Sequence, residues 1–278
     1  MKKLPIKDLE TEGLVRLIYP ADLRAGVNET VKLWKQFTAL PLSTKQGLPY
    51  SDGGTGVGYE YKSGVGKNAD HKENFDVTTA GLTWLEQNAA QVEDTIALNF
   101  IQHATNLVGL MKPTVLEFAR QTEEAFGLEG FAREVEESEP GFFVRFIHYF
   151  GDRQLGDETA SAHIDQSGFT LHLYESAPGL QCMTYDGVWT DMPVSEGETV
   201  IINSTQMQLR SHGKLRALCH RVIATPETAQ TGRFSAVCFV KLKNTPVYDK
   251  DRHGRLQEKP PGFNYAMSFA EFSELFKK

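Results

Sequence analysis

The second half of the chain consists of short apolar segments separated by turn signals, a pattern that few folds can accommodate. After residue 140 these segments are rich in aromatic and β-branched residues. They read "FFVRFIHYF", "FTLHLYE", "LQCMTYDG", "VWTDMPV", "ETVIINS", "ALCHRVIA" and "RFSAVCFVKL", with "APG", "DG", "EG" and "HG" among the turns. Short strands at such spacing predict a β-sandwich or a β-barrel.

The first half has the spacing of helices. "NETVKLWKQFTAL" places Val31, Trp34 and Phe37 on one helix face. From 87 to 126 the apolar residues keep the same spacing, and Pro113 is expected to divide one long helix from a second. The final "MSFAEFSELFKK" predicts an amphipathic helix. We therefore expect a mainly β protein with flanking helices.

A glycine-rich stretch, "SDGGTGVGYEYKSGVGKNADHKENFDV", lies between the predicted helices. It contains G-x-G-x-G, but no strand precedes it and no helix follows directly, which argues against a dinucleotide site. We interpret it as a flexible rim loop. Its part from Gly54 to Gly66, together with Lys72 and Glu73, could form a lid over a site entrance.

The composition argues against a nucleic-acid-binding protein and against a membrane-spanning one. The net charge of −7 argues against a broad nucleic-acid-binding face, which needs clustered Lys and Arg. No run approaches the roughly 20 apolar residues of a membrane span, and no signal peptide or C-x-x-C motif is visible. We expect one cytoplasmic domain, 1–278, with a mainly helical part at 1–140, a β core with the functional site at 141–245 and a helical segment at 246–278.

A histidine and an aspartate stand at the head of "SAHIDQSGFTLHLYESAPGLQ". Because alternate residues of a strand face one side, His163 and Asp165 are expected to project together. Alone, such a pair also fits a polar strand start at the surface. His220, among apolar neighbours in "LCHRVIA", needs partners for its ring nitrogens. It is either a hydrogen-bonded core histidine or the third ligand of a two-histidine, one-carboxylate metal site with an open face. His172 is expected to face away from His163.

Arg233 and Ser235, in "GRFSAVCFV", share a face of another predicted strand. A guanidinium at the start of an apolar strand calls for an anion. With the hydroxyl it would form a clamp for a carboxylate, since the guanidinium fork can bind both oxygens. The alternative is a salt bridge to one of the 36 acidic side chains of the chain itself.

Together these motifs resemble the iron(II) and 2-oxoglutarate-dependent dioxygenases, and within them the isopenicillin N synthase-like subgroup. The order is H-x-D, a later His and then R-x-S. "HIDQSGFTLHLYESAPGLQCMTYDGVWTDMPVSEGETVIIN" and "RSHGKLRALCHRV" are similar to the family's runs around its ligands. "FFVRFIHYF", "LWKQFTALPLSTKQGL", "GYEYKSG" and "DHKENFDV" also have counterparts. The resemblance covers the chain from about residue 30 onward.

The resemblance implies a fold, an activity and a set of site residues. The fold would be a double-stranded β-helix, or jelly roll. His163, Asp165 and His220 would bind Fe(II) as the catalytic centre, and 2-oxoglutarate and O2 would be cosubstrates. Arg233 and Ser235 would hold the distal carboxylate of 2-oxoglutarate, with Tyr149 as a further donor. The enzyme would couple oxidative decarboxylation of 2-oxoglutarate to succinate with hydroxylation, desaturation or cyclisation of a small molecule.

Two alternatives stay open at this point. An isopenicillin N synthase-like or aminocyclopropane-carboxylate oxidase-like iron oxidase would not use 2-oxoglutarate, and Arg233 would then hold another anion. A jelly-roll binding protein or zinc hydrolase would use the same ligands for different chemistry. The chain also departs from the family pattern: no N-terminal strand is visible near 13–27, Phe150 replaces a proline, and "NSTQ" replaces the usual Asn-x-Gly-Asp turn.

Overall fold

The structure is a computed structural model that describes residues 3–51, 56–64, 71–192 and 198–245. The helical segment predicted for 246–278 lies outside the described residues. No helix in these ranges combines the length and the apolar character needed to cross a membrane.

Helices occupy most of the first half of the chain, and strands occupy most of the second half. The helices are Asp8–Thr11 (α1), Ala21–Thr38 (α2), Leu42–Gln46 (α3), Leu82–Val92 (α4), Thr95–Phe126 (α5), Phe131–Glu137 (α6) and Thr205–Arg210 (α7). The strands are Leu14–Ile18 (β1), Gly58–Ser63 (β2), His71–Thr78 (β3), Phe142–Tyr149 (β4), Glu158–His163 (β5), Phe169–Glu175 (β6), Leu180–Met183 (β7), Trp189–Asp191 (β8), Glu198–Asn203 (β9), His220–Ile223 (β10) and Arg233–Val240 (β11).

The strands form two antiparallel sheets whose inner faces pack together. The larger sheet has the order β1-β9-β6-β11-β4-β3-β2, and the smaller has the order β5-β10-β7-β8. Ile147 and Val237 of the larger sheet share one apolar cluster with Ala160, Leu180 and Val222 of the smaller one. The sequence-based expectation of a β-sandwich or barrel with flanking helices therefore matches the architecture.

Alternation along β11 separates the two sides of the larger sheet. Ala236, Cys238 and Val240 lie in the core under the helices. Val237 lies in the cluster between the sheets, and Arg233 and Ser235 have the same parity as Val237 along the strand. The strand thus carries polar groups into the space between the sheets.

The outer face of the larger sheet is covered by α2 and α5 through an aromatic cluster. Trp34 and Phe37 of α2 meet Phe100 of α5 with ring centroids 5.3 and 5.1 Å apart. Phe100 in turn contacts Phe75 of β3 and Phe146 of β4, at 5.2 Å each. This layer braces the central strands that position the site.

The prediction that Pro113 divides two helices is wrong, because α5 runs through it. Proline removes one amide donor, which leaves the carbonyl four residues earlier, on Gly109, without its helical partner. Gly109 and Pro113 are both exposed, so water can solvate that carbonyl. Buried residues before and after the proline, among them Val108 and Val115, hold the helix on one axis.

The N-terminal half contains three strands that the sequence analysis did not predict. β1 pairs with β9, so an N-terminal strand is present within 13–27 after all. The stretch interpreted as a flexible loop contains β2 and β3, which pair with each other, and β3 also pairs with β4. The short alternation of apolar residues in these segments is supported by pairing with distant strands, which local spacing does not reveal.

Glu73 of β3 is part of a buried ionic network and not of a lid. Its carboxylate accepts hydrogen bonds from Lys45 Nζ and Tyr59 Oη, each at 2.6 Å, and lies 2.9 Å from His148 Nδ1. Burial alone raises the pKa of Glu73, but the bonds from His148, Lys45 and Tyr59 hold it below its usual value. The network ties α3 to β2, β3 and β4.

We expect Lys45→Met to lower the free energy of unfolding by about 3 kcal/mol, the lower end of the range for breaking a buried ion pair. The loss is at that lower end because Tyr59 and His148 still reach the Glu73 carboxylate. The exposed pair of Lys32 with Glu29 provides the matched control, and Lys32→Met should change stability by less than about 0.5 kcal/mol. Urea unfolding measures both variants, and equal effects would contradict a structural role for this network.

Candidate metal centre and anion clamp

Three predicted site residues converge at one end of the smaller sheet. His163 ends β5 and His220 begins β10, and the two are cross-strand partners. Asp165 follows two residues after β5, and its Oδ1 lies 3.5 Å from His163 Nε2 and 3.9 Å from His220 Nε2. One possible ligand atom from each residue lies within 4.8 Å of the others. Chain reversal after β5 therefore brings the carboxylate between the imidazoles.

Backbone carbonyls orient both imidazoles. His163 Nδ1 lies 2.6 Å from the carbonyl oxygen of Ser161, and His220 Nδ1 lies 3.4 Å from that of Leu218. A carbonyl only accepts, so each Nδ1 carries the proton and each Nε2 offers a lone pair. Burial lowers the pKa of His220 to about 4, so its ring is neutral at pH 7.

Asp165 is held as a buried, oriented carboxylate. Thr170 Oγ1 donates to its Oδ2 at 2.6 Å, which leaves Oδ1 facing the histidines. Its backbone carbonyl accepts from the amide and hydroxyl of Thr205, at 2.9 and 2.7 Å. Burial alone raises the pKa of Asp165, but the nearby His220 and His163 and the Thr170 hydrogen bond hold it below the usual range.

This donor set suits a divalent transition metal ion. Two neutral imidazole nitrogens and one carboxylate oxygen are the ligands of two-histidine, one-carboxylate iron sites. Ligand bonds of about 2.1 Å place neighbouring ligand atoms of an octahedron about 3 Å apart. The two Nε2–Oδ1 separations of 3.5 and 3.9 Å are slightly wider, so small side-chain rotations would close the set on an ion.

The predicted anion clamp lies on the inner face of the larger sheet. Arg233 and Ser235 of β11 are 2% and 3% exposed. Tyr149 of β4 is the cross-strand partner of Arg233, and it belongs to the apolar cluster between the sheets. The three predicted residues are thus neighbours in the structure. The Nε of Arg233 donates to the carbonyl oxygen of Ala177 at 3.0 Å, which fixes the guanidinium plane.

A carboxylate of the chain itself occupies the clamp. Glu175, the last residue of β6, forms an ion pair with the guanidinium of Arg233 and is the cross-strand partner of Ser235. His172 Nδ1 lies 2.8 Å from the other Glu175 oxygen. Burial alone raises the pKa of Glu175, but Arg233, His172 and Ser235 hold it below its usual value. The open alternative of an internal salt bridge therefore describes Arg233 in this structure.

A β-bulge places Glu175 and His172 on the same face. In the pairing of β6 with β11, Tyr174 lies opposite Ala236 and His172 lies opposite Val237, so Leu173 has no partner. An extra residue in one strand shifts the parity of the side chains that follow it. The expectation that His172 faces away from the histidine pair is wrong, since its ring centroid lies 6.1 Å from that of His220. Strand alternation does not carry from His163 to His172, because β5 and β6 lie in different sheets.

Glu175 and Thr170 are two residues of the site that the sequence pattern does not reveal. Thr170 lies two residues before His172, so the two are expected on the same face of the strand. The sequence does not show that the Thr170 hydroxyl bonds to Asp165. The signal for Glu175 was weak as well, because the bulge reverses its face. Tertiary pairing with β11 decides both positions.

A sequence model and curated relatives identify what this chain is similar to. Residues 141–242 match the model of the 2OG-Fe(II) oxygenase superfamily. A 2-oxoglutarate-dependent dioxygenase of Didymella fabae is 33% identical over 111 residues, which are 37% of this chain and 32% of that protein. The 1-aminocyclopropane-1-carboxylate oxidase homolog 2 of Arabidopsis thaliana is 27% identical over 222 residues, which are 73% of this chain and 57% of that protein. The chain thus spans between about a third and somewhat over half of these two relatives.

Solved structures share the fold. A full-length Neurospora crassa protein in complex with alpha-KG is 18% identical, with a TM-score of 0.70 over 97% of this chain and 87% of that one. The same protein in complex with alpha-KG and thymine has a TM-score of 0.69 at 16% identity, over 97% and 88%. The Arabidopsis thaliana dioxygenase for auxin oxidation 1, in complex with 2-oxoglutarate, has a TM-score of 0.68 at 19% identity, over 85% and 86%.

The two facing sheets, the flanking helices and these structural neighbours confirm the double-stranded β-helix fold. The family match over most of the β core confirms the superfamily that the motifs resemble. Together with the group of His163, Asp165 and His220, this match confirms Fe(II) as the cofactor and 2-oxoglutarate and O2 as cosubstrates. Residues 141–242 of the chain belong to the 2OG-Fe(II) oxygenase superfamily.

Proposed function

We propose that this protein is a non-haem Fe(II) oxygenase that couples oxidative decarboxylation of 2-oxoglutarate to the oxidation of a small molecule. The observation that carries the proposal is the convergence of His163, Asp165 and His220, each with one possible ligand atom within 4.8 Å of the others. The Neurospora crassa structure with thymine supports a small-molecule substrate, since that protein has the same fold. We also propose that no nucleic acid or membrane is a partner and that the protein is cytoplasmic, consistent with the acidic net charge of −7.

His163, Asp165 and His220 would hold the iron. Two imidazoles and one carboxylate are the protein ligands of non-haem iron sites that keep positions open for a cosubstrate and O2. The iron, when bound, supplies the activation of O2 and the site at which 2-oxoglutarate chelates. The chain keeps both Nε2 atoms free for the metal through the carbonyls of Ser161 and Leu218.

Arg233, Ser235 and Tyr149 would hold the distal end of 2-oxoglutarate. Along the inner face of β11, Ser235 and Arg233 follow Val237, which is paired with His172 beside His220. A five-carbon dicarboxylate chelating the iron would extend along this face toward the guanidinium. Burial of Arg233 and Ser235 excludes water from the distal end, which strengthens the electrostatic interaction there.

Succinate release tests the proposal. Purified protein supplied with Fe(II), 2-oxoglutarate and O2 should release succinate slowly without a primary substrate and faster when a substrate binds. A screen of amino acids, small peptides and phenolic or terpenoid acids, followed by mass spectrometry of the best responder, identifies the oxidised product. Iron-loaded protein that releases no succinate under any of these conditions would contradict the proposal.

A second candidate function is an iron oxidase that does not use 2-oxoglutarate. The ion pair of Glu175 with Arg233 favours it, because the clamp then needs no external carboxylate. Several relatives are homologs of 1-aminocyclopropane-1-carboxylate oxidase. Conversion of 2-oxoglutarate to succinate by the iron-loaded protein separates the two candidates, since only the first predicts it.

We expect Thr170→Val to weaken iron binding by roughly 10–100-fold, the usual cost of removing a hydrogen-bond partner of a metal ligand. The variant frees Oδ2 of Asp165, so the carboxylate is no longer aimed at the histidines. Thr159→Val is the matched control, because Thr159 is also buried, on β5, and its hydroxyl donates to the carbonyl of Val222 and not to a metal ligand. Competition with a metal chelator measures both affinities, and an equal loss in the two variants would contradict the orienting role of Thr170.

A further inference from the structure

We propose that Glu175 is a specificity-determining residue that competes with the distal carboxylate of the 2-oxo acid for Arg233. This inference rests on the proposed function and goes beyond it. While Glu175 is paired with Arg233, the clamp disfavours the distal carboxylate of a dicarboxylate. A dicarboxylate can bind there only after the Glu175 side chain has rotated away from the guanidinium. Glu175 therefore sets both the affinity for 2-oxoglutarate and the preference for it over 2-oxo acids without a second carboxylate.

The position of Glu175 is fixed by independent observations. It lies opposite Ser235 in the register of β6 and β11, so its backbone is beside the clamp whatever its rotamer. Its side chain is 9% exposed and that of Arg233 is 2% exposed, so bulk water does not screen the pair. The ring of His172, which lies on the side of the metal centre, bonds to the second carboxylate oxygen of Glu175 and helps to hold it in place.

The single positive charge of Arg233 cannot neutralise two carboxylates at the clamp. Arg233 and Glu175 form a neutral pair, and a bound distal carboxylate would add a second negative charge to the same guanidinium. Arg145, a half-buried cation on the inner face, already makes two 2.8 Å bonds to Asp76. Lys72 lies over the ring of Tyr149, with Nζ 5.9 Å from its centroid, too far to replace the guanidinium fork. Two carboxylates at short range in a buried site repel strongly.

The geometry also shows how the competition can be relieved. Glu175 ends β6, and the chain turns through Ser176 and Ala177 immediately afterwards. A side chain at a strand end can rotate with less disturbance than one in the middle of a ladder. His172 Nδ1 bonds to the Glu175 carboxylate, so this N–H becomes available as a donor to an incoming carboxylate once Glu175 has moved.

The test compares Glu175→Gln with the wild-type chain in anaerobic binding titrations with Fe(II) present. Glutamine keeps the shape and can still bond to His172, but it removes the competing charge. The probes are 2-oxoglutarate and 2-oxopentanoate, which has the same five carbons and lacks the distal carboxylate. Calorimetry and the visible absorption band of the iron–2-oxo acid chelate report binding without turnover.

We expect Glu175→Gln to bind 2-oxoglutarate at least about tenfold more tightly than the wild type and to bind 2-oxopentanoate with little change. Asp191→Asn, which removes an exposed carboxylate on β8, is the charge-matched control and should change neither affinity. The gain should vanish in an Arg233→Met background, because the competition acts through that guanidinium.

Two other results are distinguishable. If wild type and Glu175→Gln bind 2-oxoglutarate equally, or if the variant binds it more weakly, Glu175 supports the clamp and this inference is overturned while the proposed function stands. If neither protein binds 2-oxoglutarate although both bind iron, the proposed function fails and the inference fails with it.

Discussion

The His220→Ala variant is expected to lose iron binding and, with it, all succinate release. Removing one of three protein ligands should weaken iron binding by well over the roughly 100-fold that loss of an outer partner costs. His220 is 5% exposed, and its neutral ring presents Nε2 to the carboxylate of Asp165 at 3.9 Å. No neighbouring side chain of the described residues completes the same group of ligand atoms.

Metal analysis after gel filtration measures the iron that each protein retains. His103→Ala, on the exposed face of α5, is the matched control and should retain iron like the wild type. Far-UV circular dichroism verifies that His220→Ala still folds. A folded His220→Ala variant that keeps one iron per chain would contradict the assignment of His220 as a ligand.

The Arg233→Met variant should lose both stability and 2-oxoglutarate binding. It leaves the buried carboxylate of Glu175 without its cation, and breaking a buried ion pair costs about 3–5 kcal/mol. It also removes the only fork on β11 that could hold the distal carboxylate of the cosubstrate. Chemical unfolding and anaerobic titration with 2-oxoglutarate measure the two losses separately.

The double variant Arg233→Met with Glu175→Gln separates stability from binding. It removes both charges, so most of the lost stability should return, because no uncompensated buried charge remains. Binding of 2-oxoglutarate should stay lost, since the guanidinium is still missing. If the double variant binds 2-oxoglutarate like the wild type, the distal carboxylate does not use Arg233.

Much of the fold could be predicted from local patterns, because the strands of the β core are short and are bounded by clear turn signals. The same patterns failed where distant pairing decides the structure. β1 forms against β9, and β3 forms against β4 across a long separation in sequence. α5 passes through Pro113 because packing on both sides of an exposed proline outweighs one lost hydrogen bond.

In the site, too, local patterns predicted some residues and distant pairing determined others. The pattern of His163, Asp165 and His220 in separate segments was readable, because H-x-D and a later apolar-flanked histidine are local features. The sequence did not predict that Glu175 pairs with Arg233, because the unpaired residue Leu173 determines the face of β6 on which Glu175 lies. A bulge of this kind cannot be predicted from the alternation of polar and apolar residues in the sequence.

The most direct test of the central claim is a crystal structure of the protein grown anaerobically with Fe(II), with diffraction data collected at the iron absorption edge. We expect one anomalous peak per chain, about 2.1 Å from His163 Nε2, Asp165 Oδ1 and His220 Nε2. A structure in which either imidazole points elsewhere, with no anomalous peak among the three side chains, would contradict it.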